Sequence, residues 1–248
     1  MNGIPDEQVN NALEKIADMK IFFGHQSVGR NILSGVDDLA RGAEIPVRMV
    51  TFESGDSPDD VNIFDAHVGE NTEPSSKIHD FADMVRSGVG NSVDVAFMKF
   101  CYVDTRGDED IDSFFNRYIS EMEELEKEFP QTTFIYMTMP LTSPMTGFQN
   151  MIKGILGRLH KTDDGREANI VRHSFNNMLR KAKKQTGRLF DLAAAEATKP
   201  NGSLFTVNIE GVEYEALYPG YTWDGGHLDE KGRKVIAKKL IVFLSRLG

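Results

Sequence analysis

Lys20-Ile-Phe-Phe-Gly-His-Gln-Ser27-Val-Gly-Arg-Asn-Ile-Leu-Ser-Gly-Val-Asp-Asp-Leu39 is the stretch on which the fold turns. Its first five residues form a short apolar run of the kind that lies buried in a sheet. From Val28 the apolar positions move to helical spacing, through Ile32, Leu33, Val36 and Leu39, so a helix begins close to Ser27. A strand running straight into a helix is the first half of a βαβ unit, and the rest of the chain repeats the theme.

Upstream, residues 6–18 read as a leading helix with Val9, Leu13 and Ile16 on one face. Downstream, Val47–Phe52 reads as a second strand, and residues 54–77 as a long polar loop with little regular structure. A short helix near 78–86 precedes the strand 93–98. Ile111, Phe114, Phe115, Tyr118, Ile119, Met122 and Leu125 then mark a long amphipathic helix, with Asp108, Glu109 and Asp110 at its positive end. A strand at 132–139, a helix at 167–185 and a strand at 188–192 follow. Residues 203–217 suggest a hairpin around Glu210-Gly211, and a helix from about 230 to 247 closes the chain. Residues 140–166 and 197–222 read as irregular insertions. Strands alternating with helices of ten or more residues predict an α/β fold, a parallel sheet covered on both faces. No repeat or Pro/Gly-rich linker divides the sequence, so residues 1–248 read as a single domain.

The 248 residues suffice for a core that needs no staples, and the single cysteine, Cys101, excludes a disulfide framework. A formal charge of −10, from 38 acidic and 28 basic residues, argues against nucleic acid or an anionic membrane as the main partner. No run approaches the roughly 18 apolar residues of a membrane span. Met1–Gln8 has neither the charged start nor the apolar run of an export signal, which leaves the compartment open between cytoplasmic and exported. His67, His79, His160 and His173 are too scattered for a metal centre, and Asp56, Asp59, Asp60 and Asp65 do not match a calcium loop, so no metal or cofactor is expected and these acids read as a solvated loop.

Ligands of such sheets bind beyond the carboxyl ends of the strands, which directs attention to the residues just after each strand. Ser27 sits there, in Phe23-Gly-His-Gln-Ser-Val-Gly-Arg30, with helix N–H groups at hand that favour an oxyanion. A serine in that position also serves as a helix cap. Tyr221-Thr-Trp-Asp-Gly-Gly-His-Leu-Asp-Glu-Lys-Gly232 places Asp224 and His227 three apart in a Gly-rich turn. That spacing lets a carboxylate hold one imidazole nitrogen while the other faces a hydroxyl, the arrangement of general-base catalysis on serine.

Asp224-Gly-Gly-His227-Leu, with Gly232 and a final amphipathic helix, resembles the last signature block of the SGNH (GDSL-type) hydrolases. The order of features agrees: a serine after the first strand, a glycine after the second, Asp-x-x-His near the end. Phe175–Arg180 and Gly187–Leu192 resemble that family's following helix and fifth strand. The resemblance implies a three-layer α/β/α sandwich of flavodoxin-like type with about five parallel strands, and no cofactor. It further implies Ser27 as nucleophile, His227 as base, Asp224 as its orienting carboxylate, and the N–H groups of Ser27 and Gly55 as the oxyanion hole. The first block departs from Gly-Asp-Ser, reading Gly24-His-Gln-Ser27; the literal Gly55-Asp-Ser57 precedes Pro58 and a polar loop and is read as a decoy. The third block offers Lys99-Phe-Cys-Tyr-Val-Asp104 in place of an asparagine, so His25, Lys99 and Tyr102 are the candidate pocket residues. The expected activity is hydrolysis of a carboxylic ester, of a carbohydrate or other small alcohol. An acyltransferase on the same scaffold, or a binding protein that keeps the fold, are the alternatives. Oligomeric state is open.

Overall fold

The computed structural model describes residues 3–52, 61–105, 110–144 and 166–247, with the side chains of the last segment described from residue 168. Six strands form one sheet: β1 (Ile21–His25), β2 (Met49–Thr51), β3 (Ile63–His67), β4 (Val95–Met98), β5 (Thr133–Met137) and β6 (Leu189–Phe190). Their order is β2-β3-β1-β4-β5-β6, and every pairing is parallel.

Alternation along the strands sends side chains to opposite layers. Ile21, Phe23, Val95, Phe97, Ile135 and Met137 point to one core. It is closed by α1 (Asp6–Ala17), α2 (Ser27–Ala43), α6 (Leu192–Ala197) and α7 (Glu230–Leu244). Phe22, Phe64, Ala96, Met98, Phe134 and Tyr136 point to the other, under α3 (Pro74–Arg86), α4 (Ile111–Glu128) and α5 (Arg166–Lys183). The result is a three-layer α/β/α sandwich, as the alternation of elements predicts.

Residues 54–77 depart from the expected loop. Ile63-Phe-Asp-Ala-His67 is a full strand, inserted between β2 and β1, and α3 begins at Pro74. The sheet therefore has six strands rather than about five. Asp65 interrupts the apolar run of β3 and disguises it; far from lying in a solvated loop, it is 1% exposed. The expected hairpin forms from β7 (Thr206–Ile209) and β8 (Val212–Glu215), with Glu210 and Gly211 both at positive φ in the turn. Residues 145–165, most of the expected insertion at 140–166, lie outside the described residues.

Helices α2 and α7 position the site. Their contacts climb together: the Leu228 amide donates to Asn31 Oδ1 at 3.3 Å, and the Arg233 guanidinium grips Asp38 at 2.7 Å. Gly35 lets the two helices meet at Arg233 and Ala237, since a Cβ there would collide with the α7 backbone. Running side by side in the same sense, they bring both amino ends to the carboxyl rim of the sheet.

Candidate active site

Ser27 is the first residue of α2, and the cap position belongs to Gln26. The serine is thus free of the capping role, and its exposed hydroxyl lies 3.0 Å from His227 Nε2. His227 Nδ1 lies 2.6 Å from Asp224 Oδ2. A carboxylate only accepts, so Nδ1 carries the proton and Nε2 presents a lone pair to the Ser27 hydroxyl. Segments 200 residues apart thereby join in one hydroxyl–imidazole–carboxylate line.

The carboxylate is held in turn. Asp224 Oδ1 accepts from the backbone N–H of Gly226 at 2.9 Å and of His227 at 2.7 Å. Burial raises the pKa of Asp224, but the hydrogen bonds from the imidazole and those two amides outweigh it and hold the carboxyl below its ordinary value. One Asp224 oxygen thus accepts from its own turn while the other holds the His227 ring. The loop is anchored at its neighbours: the Ser143 amide donates to the Gly225 carbonyl, and Asp229 caps α7 through the Gly232 N–H.

Beneath Ser27 the turn is braced from the interior. His25 is fully buried; its Nδ1 donates to the Gln26 carbonyl at 2.8 Å, and its Nε2 faces Asp65 at 3.2 Å. Burial pushes the imidazole's pKa down, against the hydrogen bonds to Asp65 and Gln26. Gly29 is required because a Cβ would strike the His25 ring. Arg30 reaches down from α2 to Asp65 at 2.8 Å, and the Gln26 side-chain Nε2 donates to the carbonyls of Val68 and Gly69. The turn that carries Ser27, the first turn of α2 and β3 are thus one hydrogen-bonded unit. Sequence reasoning missed Asp65 and Arg30 because their partnership depends on β3 lying beside β1.

Tyr102 packs edge-on against His227, its hydroxyl 3.4 Å from Nδ1, and its ring fills the space that a Cβ on Gly226 would occupy. It therefore lies on the Asp224 side of the imidazole. Burial, and next the Asp224 charge, push its phenol up to about 12. Lys99 is fully enclosed, with its ammonium on the Phe100 carbonyl at 3.0 Å. Trp223, 69% exposed, was not singled out in the sequence; its indole lies nearly parallel to the His227 ring, centroids 6.4 Å apart. Gly55 and Ser57 lie outside the described residues; β2, which precedes them, is the outer strand, with β3 between it and β1. Among the described residues no cluster of His, Cys, Asp and Glu could hold a metal, and no helix is long and apolar enough to cross a membrane.

Neither a family model nor the sequence of a curated protein matches the chain. Among solved structures, a candidate platelet activating factor from Streptococcus pneumonia is similar, at 13% identity and a TM-score of 0.51, over 95% of this chain and 90% of that one. The periplasmic domain of a lipopolysaccharide acetyltransferase from Salmonella ser. Paratyphi A shares 14% identity with a TM-score of 0.49, over 96% and 88%. A lipolytic G-D-S-L family candidate from Desulfitobacterium hafniense shares 11% with a TM-score of 0.46, over 93% and 100%. At these identities the likeness concerns the fold alone. That fold is a three-layer α/β/α sandwich, with a parallel sheet between helical layers.

Proposed function

We propose that the chain is a divergent SGNH-type serine hydrolase that cleaves a carboxylic ester. The observation carrying this reading is the unbroken line from Ser27 Oγ through the His227 ring to Asp224, at 3.0 and 2.6 Å. In the reaction, the Ser27 hydroxyl passes its proton to His227 Nε2 while Oγ bonds to the ester carbonyl carbon. The resulting oxyanion faces the first N–H groups of α2, which have no intrahelical acceptors. Collapse of the intermediate breaks the carbon–oxygen bond to the alcohol, which takes the proton from His227 and leaves an acyl group on Ser27. Water then repeats the sequence: His227 takes its proton, its oxygen attacks the acyl carbon, and the proton returns to Ser27 as the carboxylic acid departs.

The leaving alcohol must stand beside His227, and Trp223 lies on that side with most of its indole exposed. A flat aromatic surface open to water suits a sugar ring, whose C–H face stacks while its hydroxyls stay hydrated. This supports a carbohydrate or similar small alcohol as the leaving group.

Covalent labelling with a fluorophosphonate tests the assignment. The native chain should label at one serine, Ser27→Ala should abolish labelling, and Ser57→Ala should retain it. An unlabelled native chain, or loss of label on changing Ser57 instead, would overturn the reading.

A further inference from the structure

A cavity of about 740 Å³ lies between Gly3 and Ile4, the turn after α6 and the outer face of α7. None of Ser27, Asp224 and His227 lines it. Five lysines do: Lys199, Lys231, Lys234, Lys238 and Lys239. Four of these are half-buried, with only Lys231 fully in the open, so their stems form walls. The apolar lining comes from Ile4, Pro200 and Val235, with the edge of the otherwise buried Tyr221.

The charge runs against the rest of the molecule. In a chain of net charge −10, the lining contributes five cations and a single carboxylate, Glu230. Lys234 pairs with Glu230 at 2.8 Å, and Lys238 reaches Asp6 at 2.7 Å. Lys239 donates to the Ala195 carbonyl, and Lys231 hovers over the Tyr221 ring. Among the described residues, Lys199, Lys231 and Lys239 have no carboxylate partner. Burial pushes the Lys239 ammonium's pKa down against the pull of the Asp191 charge, and an anion in the cavity would add to that pull. Like charges gathered around an apolar hollow are costly when it is empty and favourable when an anion fills it. The volume is that of a small-molecule site, apolar with a few charged groups to fix orientation.

We propose that this cavity binds an amphipathic anion, a carboxylate or phosphate head held by the lysines on an apolar body lying over Tyr221 and Val235. The ligand rests on the root of the loop that carries Asp224 and His227, because the Tyr221 carbonyl accepts from the Asp229 amide and its hydroxyl donates to Thr198. This site is independent of the ester-hydrolase reading.

Calorimetric titration of the full chain with decyl phosphate, decanoate, decanol and inorganic phosphate, all below micellar concentrations, tests the proposal. At least one of the two amphiphilic anions should bind one to one, and the stronger of them identifies the head group. Decanol and inorganic phosphate should each bind at least about tenfold more weakly. The double variant Lys199→Glu/Lys231→Glu and the cavity-filling Val235→Phe should each weaken the anion by about tenfold or more. Their thermal midpoints and Ser27 labelling should stay native, which verifies folding; a variant that fails this control is replaced by Lys199→Gln/Lys231→Gln. Equal binding of decanol, undiminished binding in the lysine variant, or no binding of either anion would each overturn the proposal.

Discussion

The reactive rim and the layer beneath it are built on opposite plans. At the rim, Ser27, His227, Asp224 and Trp223 stand at a helix start and on a loop, exposed or half-buried, and linked to each other. Beneath it, ionisable groups are sealed from water. Lys77 and Asp104 pair at 2.7 Å with neither exposed, and Asp104 also accepts from the amides of Thr72 and Cys101. Glu196 is fully buried, accepting from the Leu141 amide with one oxygen, while the other has no hydrogen-bond partner among the described residues. The Arg172 guanidinium spans Asn169, Thr142 and the Tyr102 carbonyl. Under the proposed mechanism the rim groups exchange protons with a substrate and with the water that frees the acyl group, which requires them to stay accessible. The buried layer trades solvation for fixed geometry, holding the loops after β4 and β5 under the imidazole.

That contrast breaks into separate measurements. The largest expected effect is on activity alone: Asp224→Asn should lower ester turnover by about 10⁴, because an amide no longer selects the proton-bearing Nδ1. Unchanged turnover would remove Asp224 from its role. Next comes stability: Lys77→Met leaves Asp104 buried without its cation and should cost about 3–5 kcal/mol in urea unfolding. A loss well under 1 kcal/mol would mean that the backbone amides suffice for Asp104.

A third test concerns pH. Burial holds the Glu196 carboxyl up at about 8 against an ordinary 4.5, with the Leu141 amide opposing. Between these values the folded chain keeps a proton that the unfolded chain releases, so stability falls as pH rises from 4.5 to 8. The slope from this group approaches about 1.4 kcal/mol per pH unit. Glu196→Gln should flatten the curve relative to the native chain; parallel curves would show that Glu196 ionises freely. The smallest effect is expected at the rim's edge. Trp223→Ala should change stability by no more than about 0.5 kcal/mol, since the indole is exposed. It should raise KM for an acetylated sugar several-fold and leave a nitrophenyl ester nearly unaffected; equal effects on both would deny the indole a place on the alcohol side.

Much of this was legible beforehand because it is local. Helix faces such as Phe114–Tyr118–Met122–Leu125 follow from spacing, and Asp110 caps α4 where acid was expected at a helix start. Asp224 and His227 were legible because three residues in a Gly-rich turn can form their hydrogen bond alone. β3 was not, since Asp65 and His67 break its apolar pattern and its burial comes from neighbours on both sides.

Unaided, the amino-acid order determined the alternation of strands and helices and the parallel sandwich, which rest on periodicity, and the Asp224–His227 pair, which rests on short-range geometry; Ser27 was joined to that pair only through the family resemblance. Folding in three dimensions decided the strand order, the pairing of His25 and Arg30 with Asp65, the sealed Lys77–Asp104 pair and the lysine-walled cavity. Those depend on which distant segments share a border, and the energy of a buried charge is set by the neighbours that enclose it rather than by the residues beside it in the chain.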